Sequence, residues 1–548
     1  MNPGNSFLTD AQLRAELDRC VYCEEKPCQE ACPADCSPAD FIMAARVGAK
    51  SDFRRSAAHI MSANPLGGVC GVVCPDYFCM KACSRRMFDQ PINIPAVQAA
   101  VVEKAKKFGL NQSPAAEQNG KQIAVIGAGP AGLGAAGVLA QLGYKITVFE
   151  KRRQLGGMMN LIPDFRFNKK VARTDIKFIK SLGAIEFKLG KVVADPETLL
   201  GKFAAVIVSA GVEEPVRLGI PGEELTLSWQ AFLENRKKSS LAGKKVAILG
   251  GGAVAADCAT TATRRGALSV ELIYRRRQQD MPLTQYERRM LLEHGVEISS
   301  CSRPLALVHQ GKRVKGLRIA RMRLPKGKAP RPENFVVNQK ESPVFREFDV
   351  VVSAIGNRSR MPVNQTKGVF YAGDMVLGSS TVVESVASGK NAALEADAVL
   401  HDREHPKFKD HAKSRAVLAG TNLYPVPLDA DFFGRVILSP FLLSAAPHTD
   451  GYQQMREAYE RGWSGGVMKT AFDNVPIHIP GEYMFVLGRS TYGNCDNVSG
   501  HPLDRVCGEI QKLVEEFPER LTLASTGGPV TGRDEEDRAM WQSNTRKL

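Results

Sequence analysis

The chain has 548 residues, 44% of them hydrophobic, and a formal net charge of +15, which excludes a disordered tail or a small disulfide-stapled module and leaves room for three or four domains. No run of 18 apolar residues marks a membrane span, and MNPGNSFLTDAQLRAEL lacks the basic-then-apolar order of a secretory leader, so a cytoplasmic setting is expected. The basic excess is dispersed. Its densest run, KRVKGLRIARMRLPKGKAPR at 312–331, has no interleaved aromatics and reads as a solvated hairpin, which favours acidic partners or anionic cofactors over nucleic acid.

The first predicted element is a thiol-rich segment. RCVYCEEKPCQEACPADC (19–36) holds five cysteines, of which Cys20, Cys23, Cys28 and Cys32 form C-x2-C-x4-C-x3-C followed by Pro33. A second group follows at Cys70, Cys74, Cys79 and Cys83. Disulfides would need an oxidising compartment, and in a reducing one clustered thiols bind metal. Zinc sites pair two CxxC-like elements. Two interleaved groups with short, irregular spacings and a C-x3-C-P ending suit two [4Fe–4S] cubanes better, with zinc as the alternative.

The polar spacer NQSPAAEQNG (111–120) reads as a linker. After it, a β-run at 122–126 enters Gly127-x-Gly129-x-x-Gly132, a helical stretch follows, and a second β-run ends at Glu150. That order is a dinucleotide fingerprint: glycines let the backbone close on a pyrophosphate at a helix N-terminus, and Glu150 would accept from a ribose diol. A second unit, 244–277, carries Gly250-x-Gly252-x-x-Ala255, and its second strand ends in Arg275, Arg276 and Arg277. Guanidinium forks where NAD enzymes place a carboxylate favour the 2′-phosphate of NADPH. FDVVVSAIGNRSR and then GVFYAGDMVLGSSTVVESVASGK supply Gly373-Asp374 after a β-run and Thr381-Val382-Val383 opening a helix. This reads as the return of a discontinuous FAD domain with the second unit inserted, its helix N-terminus facing the electron-rich edge of a flavin.

These motifs together resemble the FAD/iron–sulfur oxidoreductases of the glutamate synthase small subunit and dihydropyrimidine dehydrogenase family. The cysteine array, NPLGGVCGVVCP, PINI, GAGPAGL, LGGMMNLIPDFRF, GGGAVAADCA, YRRR and AGD…TVVESVASGK carry the resemblance over about 14–395. It implies one cluster on Cys20, Cys23, Cys28 and Cys83, and another on Cys32, Cys74, Cys79 and Gln98, leaving Cys36 and Cys70 spare. For FAD it implies contacts from Gly127, Ala128, Gly129, Pro130, Ala131 and Gly132, and from Glu150, Lys151, Gly156, Gly157 and Arg166. Gly373, Asp374, Thr381, Val382 and Val383 complete that set, while Gly250, Gly252, Ala253, Val254, Ala255, Arg275 and Arg276 would serve NADPH. Ala354, Ile355 and Gly356 are further cofactor candidates. Two departures stand out: Ala253 replaces the family's Asn or Asp, and the Cys74–Cys79 interval is one residue short.

From residue 430 the text resembles the start of the FMN barrel of dihydropyrimidine and dihydroorotate dehydrogenases, which implies FMN contacts from Ala445, Ala446, Lys469, Thr470 and, more weakly, Asn497. A helix near 503–516, a strand at 521–526 and a helical 534–548 give about three strand–helix units, where a closed eight-stranded barrel takes about 250 residues. The expectation is that the barrel and its FMN are completed elsewhere, by a second chain or electron-accepting partner. The expected fold is multidomain: a helical iron–sulfur domain (1–110), a discontinuous FAD domain (121–240 and 351–400), an inserted NADPH domain (241–350), a linker (401–429) and an incomplete (β/α)8-barrel-like segment (430–548). The expected activity is NADPH-dependent electron transfer through FAD and two clusters to a pyrimidine-reducing site. Its alternatives are a glutamate synthase small-subunit type of electron input and an inactive scaffold. A thioredoxin-reductase-like reading would need a CxxC beside the flavin, which Cys258, Cys301, Cys495 and Cys507 do not form. His448 and His501 read as surface histidines.

Overall fold

The thiol-rich segment is built from short helices, and its sequence caps them. Thr9 and Gln12 cap each other at the start of Asp10–Asp18, and the Ser37 side chain accepts from the Asp40 amide to open Pro38–Ala45. Asn93 caps Ile94–Phe108, whose first turn holds Pro95. The computed structural model describes residues 7–110, 117–234, 240–404, 406, 408–416, 428–473, 484–488, 491–494 and 498–548. They divide into two units, Met1–Tyr424 and Pro425–Leu548.

In the first unit the helical segment shares a core with the first nucleotide-binding sheet: Phe41, Ile60 and Val101 belong to the same apolar cluster as Val125, Leu133 and Ile176. A buried ion pair reinforces that join. Lys106 Nζ lies 2.7 Å from Asp175 Oδ1, while Asp175 Oδ2 accepts from the Val69 amide at 2.8 Å.

The first sheet is all parallel, in the order Val369–Tyr371, Ala205–Val208, Gln122–Ile126, Lys145–Glu150, Ile185–Leu189. The second is also parallel, in the order Leu227–Ser228, Val350–Ser353, Lys245–Leu249, Ser269–Ile273, Glu297–Ser299. Their central strands are near-continuous apolar runs, as sheets covered on both faces require. The strands of the second sheet all fall in the chain between Ala205–Val208 and Val369–Tyr371 of the first. Strand Val350–Ser353 and helix Trp229–Glu234 belong with the inserted sheet, not with the outer domain at 351–400 and 121–240. The crossing lies where Glu214–Pro215 pairs antiparallel with Asn357–Arg358. VVVS alone cannot reveal which of two parallel sheets it joins; register with Lys245–Leu249 decides it.

The basic run forms the second strand of an antiparallel hairpin, Ser302–Gln310 with Arg313–Arg323. Arg318, Arg321 and Arg323 point to solvent while Leu317, Ile319 and Met322 are buried.

The second unit has a parallel three-stranded sheet, Leu442–Leu443, Gly465–Val467, Leu521–Leu523, with neighbours in chain order. Helix Tyr452–Glu460 follows the first strand, Leu503–Glu516 precedes the third and Asp534–Lys547 follows it. Met455, Tyr459, Met468, Leu503 and Leu513 form its core. Residues 524–526, expected to extend the last strand, lie outside it. Two small hairpins, Ala430–Phe432 with Arg435–Ile437 and Met484–Gly488 with Thr491–Asn494, are the other strands among this unit's described residues.

Candidate functional site

Both glycine loops open onto one cavity of about 1190 Å³. The first loop follows strand Gln122–Ile126 and enters helix Pro130–Gln141. Gly127 has φ of +100°, and a Cβ there would lie 2.4 Å from the Ser209 carbonyl oxygen. A Cβ on Gly132 would lie 1.9 Å from the Gly127 carbonyl oxygen, so only glycine lets helix and strand approach this closely. Gly129, Pro130, Ala131, Glu150, Lys151 and Gly157 line the cavity. Ala128, Gly132 and Gly156 do not, and they serve the loop instead: the Ala128 amide donates to Glu150 Oε2 at 2.8 Å, and the Gly156 amide donates to the Ala128 carbonyl at 2.9 Å.

Glu150 is buried, with Oε1 accepting from the Arg152 amide at 2.8 Å, so the loop itself orients the carboxylate. Lys151 is ion-paired with Glu213. From the returning segment, Gly373, Asp374, Thr381 and Val382 line the same cavity. Asp374 accepts from Ser380 Oγ at 2.6 Å and Ser385 Oγ at 2.9 Å, and burial pushes its carboxyl above the usual range. Thr381 and Glu384 cap helix Val382–Leu400, leaving its N-terminal dipole aimed at the cavity.

The inserted domain supplies Gly250, Gly252, Ala253 and Val254 to the cavity, while Ala255 is buried behind Gly250. Ala354, Ile355 and Gly356 line it from the end of strand Val350–Ser353, hence from the inserted side. The three arginines separate. Arg277 makes a two-pronged contact to Asp280 at 2.8 Å per prong, and Arg276 stacks 5.3 Å from the Tyr274 ring centre. Arg275 is exposed and, with Arg276, lines the cavity.

Arg166 lines the cavity, and its guanidinium lies 2.9 Å from Asp257 and 2.5 Å from Glu287, both buried, so it also closes an ion pair between the two sheets' domains. Val383 is buried and packs with Ala34 and Cys70, with Cys32, Cys74 and Val382 against the same cluster.

Sequence reasoning missed the Ser209–Glu213 segment and the Val73, Pro75 and Tyr77 stretch, all of which line the cavity. The first had a signal: IVSAG after one β-run echoes VVSAIG after the other. The second did not, because its place follows from tertiary packing of the thiol segment.

Cys20, Cys23, Cys28 and Cys83 line one small cavity together with Pro27 and Ile42. The second group, Cys32, Cys74 and Cys79, is joined by Cys36 and Cys70 as near neighbours whose charges act on one another. Gln98 is buried and donates from Nε2 to the Gly67 carbonyl at 2.7 Å. Burial raises the Cys28 thiol to about 11 and pushes Cys32, Cys74 and Cys79 up as well, so holding these four as thiolates takes a cationic centre beside them. Among the described residues no three Cys, His, Asp or Glu side chains converge on one ion.

In the second unit, Ala445, Lys469 and Thr470 follow the C-terminal ends of the first two parallel strands. Lys469 is buried with Nζ 3.7 Å from Asp450, and Thr470 Oγ1 lies 2.8 Å from Ser525 Oγ. Asn497 lies outside the described residues. His448 is exposed and His501 partly so.

Residues 121–392 match the pyridine nucleotide-disulphide oxidoreductase family, and residues 3–110 match dihydropyrimidine dehydrogenase domain II with its 4Fe-4S cluster. The glutamate synthase [NADPH] small chain of Halomonas elongata is 30% identical over 429 residues, which span 69% of this chain and 89% of the relative. The chain belongs to the glutamate synthase small-chain family. A second member, the NAD-dependent dihydropyrimidine dehydrogenase subunit PreT of Escherichia coli, is 30% identical over 404 residues, 69% of this chain and 92% of the relative. The NADP(+)-dependent formate dehydrogenase subunit beta of Moorella thermoacetica is 33% identical over 435 residues, and this chain spans only 60% of its length. As a member of the glutamate synthase small-chain family, the chain is an NAD(P)H-dependent FAD and iron–sulfur oxidoreductase. None of its described helices is long and apolar enough to cross a membrane.

Proposed function

We propose that this chain takes electrons from NADPH and delivers them, through FAD and two [4Fe–4S] clusters, to an FMN site of the pyrimidine-reducing type. The observation that carries this reading is the shared cavity: both glycine loops line it, and Val382 on its wall also packs against the group around Cys32 and Cys74. FAD, when bound, accepts two electrons as hydride and gives them up singly to the clusters.

The chain's residues position and exclude. Gly127–Gly132 and Gly250–Ala255 hold the two pyrophosphates at helix N-termini. Arg275, aided by Arg276, holds the 2′-phosphate. Relatives' names divide between NADPH and NAD, and the exposed fork of Arg275, which makes no ion pair among the described residues, favours NADPH. Trp229, Leu233 and Tyr77 on the cavity wall keep water from the hydride path. The ligands are Cys20, Cys23, Cys28 and Cys83 for one cluster, and Cys32, Cys74, Cys79 and Gln98 for the other. No proton-transfer residue is needed for the reductive half-reaction.

The second unit contributes the first three strand–helix units of the FMN barrel. Its sequential parallel sheet and the placement of Lys469 and Thr470 beyond the strand ends support this. The remaining strands come from outside residues 430–548. A second reading, electron input to a separate large chain, is favoured by the 89% coverage of the glutamate synthase small chain. FMN analysis separates the two: FMN held jointly with a barrel-completing partner supports the first, and a partner whose FMN site needs nothing from residues 430–548 supports the second. Anaerobic rapid mixing tests the input step. Flavin absorbance should bleach much faster with NADPH than NADH; no bleaching with either contradicts the mechanism.

A further inference from the structure

Helix Val382–Leu400 starts at the cavity wall, and its first half packs against the thiol-rich segment. One of its faces is in backbone contact with the first loop helix, where a Cβ on Gly389 would lie 1.9 Å from the Ala131 carbonyl oxygen. Another carries Val383 and, two turns later, Lys390. Lys390 is completely buried. Its Nζ donates to the Ala63 carbonyl at 2.5 Å and to the Ala34 carbonyl at 3.2 Å, and Ala34 sits between Cys32 and Cys36.

Among the described residues the Lys390 ammonium has no carboxylate within ion-pair distance; its electrostatic neighbours are the Asp35 carboxylate and the thiols of Cys32 and Cys36. A buried cation held only by carbonyls is costly unless a compensating anion lies close by. Two carbonyl bonds explain its orientation but not why a lysine, rather than an uncharged donor, stands there.

We propose that Lys390 is the built-in counter-charge of the second cluster, positioned to favour its reduced form and so to ease electron departure from the flavin. The inference rests on the ligand assignment made above for Cys32, Cys74, Cys79 and Gln98. An electron passed from reduced flavin would make the cluster's charge one unit more negative, and the Lys390 ammonium already in place would balance it. No bond breaks in the chain and no proton must follow. Asp35 opposes Lys390, because its carboxylate sits on the same turn and adds negative charge where the electron arrives.

The test is film voltammetry on the full-length holoprotein, after iron counting has shown both clusters present in the native chain. Lys390→Met should move one of the two cluster waves to more negative potential, leaving the other and the flavin in place. Lys390→Arg should restore most of the shift, and Asp35→Asn should move the same wave the opposite way. A purely structural lysine would give unchanged potentials with altered stability. Unmoved waves in Lys390→Met overturn the proposal. Should that variant not fold, an unmoved wave in Asp35→Asn overturns it equally, as does a native chain with two clusters and no second wave at any potential. Absence of a second cluster from the native protein would instead overturn the ligand assignment.

Discussion

Arg166 Nη1 lies 2.9 Å from Asp257 Oδ1, and this pair joins the outer nucleotide domain to the first helix of the inserted one. Glu287 completes a buried triad with the same guanidinium. Arg166→Ala would strand two buried carboxylates and should lower unfolding stability by about 3–5 kcal/mol at neutral pH. Burial already holds the Asp257 carboxyl above its ordinary range despite Arg166. Without the arginine it rises further, so the folded variant binds protons that the unfolded chain does not. The deficit should therefore shrink as pH falls through that raised value toward the unfolded one and grow as pH rises above it. Denaturant melts of both proteins across pH 5–8 check the sign; a deficit that widens toward acid contradicts the triad.

Gly132→Ala should release FAD and leave the clusters in place. The added Cβ meets the Gly127 carbonyl at 1.9 Å, with no flexible side chain to give way. Overpacking of this kind costs about 1–3 kcal/mol, so flavin affinity should fall roughly tenfold or more, read by fluorescence of released FAD against unchanged iron. Full FAD occupancy would mean that the loop is looser than it appears.

Discrimination between NADPH and NADH should reside in Arg275. A charged hydrogen bond contributes about 1.5–3 kcal/mol, so Arg275→Gln should weaken NADPH by roughly 10- to 150-fold and leave NADH unchanged. Arg277→Gln is the control. Its fork is already engaged by Asp280, and it should change nucleotide affinity little. Equal losses for both nucleotides in Arg275→Gln contradict the assignment.

The parts of this architecture that were legible in the sequence are those fixed by local chemistry. Gly127, Gly129 and Gly132 announce a strand-to-helix turn because no other residue fits it, and the cysteine spacing announces metal. Three things were hidden. The membership of Val350–Ser353 depends on pairing with a strand about a hundred residues earlier. The ion pairs of Arg166 were invisible because Asp257 and Glu287 lie far from it along the chain. Tyr77 and Lys390 matter only because separate segments pack together: Lys390 closes the TVVESVASGK motif, but nothing in that motif says that Ala34 and Ala63 lie against it.

The two spare thiols give a sharper test of the second cluster. Cys36 and Cys70 are buried among the proposed ligands, so proximity does not separate them from Cys74. Cys74→Ser should halve the iron, from about eight to about four per chain. Cys36→Ser and Cys70→Ser should each keep the full complement. Loss of iron in either of the latter with retention in Cys74→Ser would reassign the site.

The central claim is that sulfur-bound iron beside the nucleotide cavity carries the flavin's electrons onward. It is tested most directly by measuring iron, acid-labile sulfide, zinc and FAD together in the chain produced anaerobically with iron and sulfide supplied. The expected composition is about eight iron, about eight sulfide and about one FAD per molecule, with negligible zinc. Zinc in place of iron, or a flavin-bearing chain with neither iron nor sulfide, contradicts the account.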